Sequence, residues 1–249
     1  EGVIRAHAGW GGTIDNVTIA GDFGADNIEA GVFADTAYKV EIEGSVQGDA
    51  SAVQLLPDMH TFIASKEGTV VENLWIWGDV VDAQIYAANY LTIGGYAPVP
   101  LQQSGEAVMR GDVGTLTVSE SVNDQLWIWG DAETVDIGFY AGLTFIDGEL
   151  GTGEEVEPGG FTAGAFAQSI HVGSLADFAT ISAGTRVGDS YVYITGGGMN
   201  ETNTISVGSN NELRVFSADS LTDGRVEYGN FYLTIATWDP TDPGTNGDF

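Results

Sequence analysis

Two hexapeptides hold most of the residues that could do chemistry. Leu74-Trp75-Ile76-Trp77-Gly78-Asp79 returns 52 residues later as Leu126-Trp127-Ile128-Trp129-Gly130-Asp131. Trp75, Trp77, Trp127 and Trp129 are four of the chain's 6 tryptophans. Paired indoles stack on sugars, pack against another protein, or lie under a segment of their own chain. Asp79 and Asp131 hold the same turn position in the two copies. Recurring carboxylates are candidate ligands for a hard cation, Ca2+ above all, which takes carboxylate and carbonyl oxygens. The plainer reading is a turn aspartate bonded to nearby backbone. Neither an Asp-x-Asp-x-Asp-Gly loop nor a Gly-Gly-x-Gly-x-Asp array accompanies the pair.

Other chemistry is thinner. The chain has no cysteine, which removes thiol catalysis, thiolate metal sites and disulfides. His7, His60 and His171 show no metal-ligand spacing. His171 lies between Ile170 and Val172, so alternation points it outward into solvent. A polysaccharide lyase needs a base, yet the 7 Lys and Arg are scattered along the chain. Arg110 beside Asp112 is the one suggestive pairing, and a solvated turn accounts for it. With 36 Asp and Glu, close carboxylate pairs of the kind glycosidases use are inevitable, and no single pair is informative. The expectation is a non-enzymatic chain with no catalytic residue; a glycan lyase or hydrolase is the enzymatic alternative.

The elements that would position these residues are short strands. In each hexapeptide Leu and Ile point one way and the tryptophans the other, and a Gly-Asp pair closes the strand. Ile85, Leu91 and Thr92 recur at the same offset as Ile137, Leu143 and Thr144. Self-similarity at a fixed offset marks a repeat architecture. Similar apolar-x-apolar segments start at 17, 40, 91, 116, 143 and 170, in steps near 25 residues. The offset of 52 then reads as two rungs of about 26, and the segments at 91, 116 and 143 as neighbouring parallel strands. Gly-Asp pairs at 21–22, 48–49, 78–79, 111–112, 130–131 and 188–189 fall where the chain must turn, with glycine expected to supply positive φ. Helical signal is weak; 53–65 is the one apolar stretch that could hold a helical turn.

This pattern predicts an all-β, right-handed parallel β-helix with rungs of about 25 residues, whose stacked rungs share one core. An antiparallel β-sandwich or jelly roll is the alternative. One solenoid domain over 1–238 is expected, with excursions at 97–109 and 148–160. Residues 239–249 read as a linker or frayed tail.

Bulk properties agree with a globular, strongly acidic chain. Hydrophobic residues make up 43%, enough for an ordered core, and the formal net charge is -29. So negative a surface repels nucleic acid and anionic lipid. Divalent-cation binding, a high-salt habitat and solubility each account for it. No apolar run approaches the ~20 residues of a membrane helix. The first residue is Glu rather than Met, which reads as a processed product or a piece of something longer.

Gly12-Thr13-Ile14-Asp15-Asn16-Val17-Thr18-Ile19-Ala20-Gly21 and Gly114-Thr115-Leu116-Thr117-Val118-Ser119 resemble the strand repeats of very large bacterial secreted and cell-surface β-helix proteins. The resemblance covers most of the chain through degenerate motifs. It implies the right-handed coil, a structural or adhesive role outside the cell, and no catalytic residue. The functional expectation is a structural, adhesive module of an extracellular or cell-surface protein that self-associates or sits among neighbouring subunits. A polysaccharide-binding or polysaccharide-degrading β-helix is the alternative. Open strand edges at the two ends of such a coil would need caps or another copy.

Overall fold

The structure, a computed structural model, describes residues 3–5, 13–24, 31–33, 36–47, 53–55, 58–96, 108–109, 111–184, 186–187, 191–195, 199–200, 202–207, 212–217, 225–228 and 232–237. Among these residues every element is a strand. The strand pairs are parallel, except for Gly95–Tyr96 against Val108–Met109. The chain is a parallel β-helix.

Its first face stacks Thr13–Ile19, Thr36–Ile42, Asp58–Ala64, Val80–Ile85, Val113–Val118 and Ala132–Ile137. Gly160–Ala163, Thr180–Ala183, Thr204–Val207 and Arg225–Tyr228 continue it. The second face is built around Val71–Ile76, Ala88–Ile93, Ser121–Ile128, Tyr140–Leu150 and Phe166–Leu175. Parallel neighbours cannot be joined by a hairpin, so each rung must run round the coil before it pairs again. The rung length therefore varies with whatever loops out. Successive first-face strands start 23 residues apart from Thr13 to Thr36, and 33 apart from Val80 to Val113.

The 52-residue echo is two rungs of unequal length. Trp75 pairs with Thr92, 17 residues on, and Thr92 with Trp127, 35 further on. The long rung holds the antiparallel neck of the excursion expected at 97–109, whose residues 97–107 lie outside the described set. The excursion expected at 148–160 is shorter. Glu149 and Leu150 still pair with Ser174 and Leu175, and only 151–159 leaves the coil. Among the described residues of 53–65 there is no helical turn; Val53–Leu55 and Asp58–Ala64 are strands. The tail 239–249 lies outside the described residues.

The segments at 91, 116 and 143 are not neighbours in one stack. Leu91 and Leu143 belong to the second face, two rungs apart, and Leu116 to the first. Both faces have the same alternation, so periodicity cannot tell which face a segment joins. The echo also slips by one residue beyond its hexapeptide. Leu91 pairs with Leu126, and Leu126 with Thr144 rather than Leu143. Thr144 and Ile146 are buried, while Leu143 and Phe145 are half-buried on the outer side.

The core is the set of inward columns. Leu74, Ile76, Leu126 and Ile128 are each 0% exposed, as alternation requires. Where Phe62 fills the coil, its partner on the next rung is Ala83, so a small side chain makes room for a large one. Burying a Leu or Ile side chain contributes about 1.5–3 kcal/mol. Thr144 is the one buried hydroxyl in its column; its Oγ1 is 3.4 Å from the Gly142 carbonyl, a weak bond.

The Gly-Asp corners do not share one requirement for glycine. Of these glycines Gly111 has positive φ, at 70°, whereas Gly21 and Gly130 do not. A Cβ on Gly130 would fall 2.0 Å from the Asp112 carboxylate, and one on Gly44 would fall 2.4 Å from the backbone of Gly21. Glycine leaves room for the rung beneath.

Two tests follow from the register and the corner. Leu126→Ala is expected to cost about 2–5 kcal/mol in chemical denaturation. Leu143→Ser, on the outer side, should cost under about 1 kcal/mol. Equal costs would restore the unslipped register. Gly44→Ala should cost about 1–3 kcal/mol through overpacking, whereas Gly21→Ala, with nothing within 4 Å of its new Cβ, should stay near neutral.

Candidate functional site

Parallel pairing converts one strand position into a column. On the second face one outward column runs Trp75, Thr92, Trp127, Phe145, His171, Tyr193. From Trp127 onward it is aromatic at every rung. Ring centroids are 5.2 Å apart from Trp127 to Phe145, 4.7 Å from Phe145 to His171, and 4.4 Å from His171 to Tyr193. The tryptophans also pair within their strands, Trp75 with Trp77 at 4.3 Å and Trp127 with Trp129 at 4.9 Å. The tryptophan pairs and the contacts of His171 with Phe145 and Tyr193 are stacked, whereas Trp127 meets Phe145 at a tilt of 32°. The stacked rings cover one another's faces in part.

The four tryptophans leave the core side of their strands, as expected, but they are not a bare patch. Trp77 is 4% exposed and packs on Trp75. Trp75 donates from Nε1 to the Gly94 carbonyl at 2.6 Å, and Trp127 from Nε1 to Asp147 Oδ2 at 3.2 Å. Gly94 and Gly95, both at positive φ, turn the chain out of the rung toward the excursion. A Cβ on Gly95 would stand 3.1 Å from Trp75 and 3.4 Å from Trp129, so glycine lets the neck settle on the indoles. Trp77 Nε1 is buried with no hydrogen-bond partner among the described residues.

His171 faces outward between Ile170 and Val172 but is not freely solvated. Phe145 and Tyr193 sandwich its imidazole, and burial lowers its pKa from the ordinary 6.5. Alternation gave its direction; its neighbours were set by pairing across rungs. His60 is exposed, and His7 and Arg110 lie outside the described residues.

Asp79 and Asp131 belong to a second column, at the corner before the first face. Asp58 Oδ1 accepts the Asp79 N–H at 3.1 Å. Asp79 Oδ1 accepts the Asp112 N–H at 2.8 Å, and Asp112 Oδ1 the Asp131 N–H at 2.9 Å. Asp131 Oδ1 then accepts the Glu149 N–H at 2.7 Å. Each carboxylate bonds the backbone one rung on, rather than its own turn. No group of three or more His, Asp or Glu among the described residues is arranged to hold a metal ion. Asp79 and Asp131 therefore serve the corner, and the rung between them is filled by Asp112. Sequence reading missed Asp58 and Asp112 as members, although the Gly-Asp pair at 111–112 was the available signal.

No family model matches the chain, and neither a curated protein nor a solved structure matches it. No helix among the described residues is long and apolar enough to cross a membrane.

The two columns respond differently to solution conditions. Charge-assisted bonds favour the aspartate column, but stacked carboxylates repel by about 0.9 kcal/mol per neighbouring pair in water at the ~4.8 Å rung spacing. Added NaCl screens that repulsion, so thermal stability should rise between low and molar salt. Asp112→Ala should cost about 1 kcal/mol and flatten the salt response. A salt response that Asp112→Ala leaves unchanged would place its origin elsewhere.

For His171, the unfolded chain binds its proton near pH 6.5 and the folded chain only at lower pH. Between those values the unfolded state carries more protons, so stability falls as pH drops below 6.5. The melting temperature of His171→Phe, which keeps a ring in the stack, should decline less from pH 7.5 to 5.5 than that of the unaltered chain. Parallel declines would show that the imidazole does not contribute.

Proposed function

We propose that this chain is a non-enzymatic structural module, a stiff β-solenoid segment of an extracellular or cell-surface protein that makes lateral contacts with a second copy or a neighbouring subunit. The observation that carries the reading is the outward aromatic column from Trp127 to Tyr193. It spans four rungs, is locked by backbone register, and leaves its rings half-buried in the isolated chain. Half-covered aromatics in a row are the composition of a protein contact.

The polysaccharide alternative fits less well, because a sugar platform offers broad ring faces and these faces are already covered in part by one another. The aspartate column supports the structural reading too, since its polar groups are committed between rungs. Localisation outside the cell and an adhesive role follow from the resemblance to surface β-helix proteins, and they are part of the proposal.

Sedimentation equilibrium of the full chain tests it. Concentration-dependent association is expected, weakened by Phe145→Ala with Tyr193→Ala, while circular dichroism keeps the strand signal. A chain that stays monomeric, and instead binds or cleaves soluble glycans, would overturn the proposal.

A further inference from the structure

The first face carries a different lattice on its outer side. In the five rungs from Val113 to Val207, one outward column is Thr115, Thr134, Gly160, Thr180, Thr204. The other is Thr117, Asp136, Thr162, Ser182, Ser206, set two residues further along each strand. Eight of these ten positions bear a hydroxyl, the exceptions being Asp136 and the buried Gly160; the Thr180 hydroxyl donates to the Gly159 carbonyl at 3.3 Å, which leaves seven hydroxyls for a ligand. Between and beside the two columns Leu116, Val135, Phe161, Ile181 and Ile205 are fully buried, so the outward set is fixed by the core.

The array is also nearly uncharged. Asp136 is its one ionised side chain, in a protein of net charge -29. In the same two columns Asp82 and Gln84 stand on the rung before the array. Excursion 151–159 leaves the coil just before Gly160, at the edge of the array. A neutral strip on so acidic a molecule fits a neutral partner.

The spacing says which. Neighbouring rungs lie ~4.8 Å apart, and two residues along a parallel strand span ~6.6 Å. Water oxygens bonded at about 2.75 Å with tetrahedral angles repeat at about 4.5 Å within a layer and about 7.3 Å across layers. The two lattices agree to roughly a tenth in both directions. Threonine suits the task, since its β-branched side chain holds few rotamers and presents a methyl beside a hydroxyl. Sugar stacking would want exposed ring faces, and a self-contact would want large apolar or aromatic anchors; the ten positions carry neither.

We propose that the hydroxyl lattice of the first face binds ordered water, and that its ligand is the surface of ice. The inference rests on this face alone and holds whether or not the aromatic column of the second face is a contact surface. The methyls and hydroxyls would hold a water layer already spaced to merge with the crystal.

Ice-affinity partitioning and recrystallisation inhibition of the full chain test it. The unaltered protein should enter growing ice and slow coarsening. Thr117→Lys and Thr162→Lys, which place a long charged side chain over the lattice, should lose both effects while retaining the native melting temperature. Gln125→Lys, on the second face, should retain them. Should a lysine variant fail to fold, Thr162→Tyr replaces it, breaking flatness without charge. An unaltered chain excluded from ice overturns the proposal. So does binding to crystalline chitin or cellulose, or dimerisation, that the same threonine substitutions abolish, because either outcome assigns the face to a different partner.

Discussion

Parallel stacking places each residue directly over its counterpart on the next rung, and almost everything else in this chain follows from that. Whatever side chain occupies a position must tolerate its neighbour at ~4.8 Å, repeatedly. Aliphatic side chains tolerate it by packing, so Ile76, Ile93, Ile128 and Ile146 form one inward column. Rings tolerate it by stacking or tilting against one another, as from Trp127 to Tyr193. Hydroxyls tolerate it because they are small and neutral.

Carboxylates are the hard case, and the corner shows how one column accommodates them. Each of Asp58, Asp79, Asp112 and Asp131 accepts the N–H of the next rung, which sets a directional bond against a repulsion that water and salt weaken. The glycine before Asp131 leaves space for the carboxylate of Asp112. Dense negative charge and a stacked fold are compatible at this corner because its carboxylates are exposed, and no Asp, Glu, Lys or Arg is buried among the described residues.

The two faces consequently differ in what they offer. The second face shows an aromatic column and a neck of chain turned out at Gly94 and Gly95. The first face shows two outward columns of mostly Thr and Ser, with Asp136 their one acidic side chain, from Val113 to Val207. One rigid coil can carry two unlike surfaces because the buried columns fix the outward positions of both, and neither surface needs side chains from the other.

The sequence by itself determined the class of fold and the inward set at its clearest strands. Alternation in Leu74-Trp75-Ile76-Trp77 leaves one assignment, since a narrow core takes Leu and Ile and a one-residue slip would fill it with indoles. Repetition then implied stacked rungs, and Val17 does sit on Val40 at the step read from the sequence. Tertiary structure decided what lies over what. The rungs around Thr92 are 17 and 35 residues long, so no fixed period could have aligned Trp127 with Phe145 and His171. It also decided the slip that puts Thr144, not Leu143, over Leu126, which keeps Ile146 inside and Phe145 in the aromatic stack. The physical reason is that alternation is local and two-valued, whereas register between rungs depends on how much chain loops out between them, and that length is free.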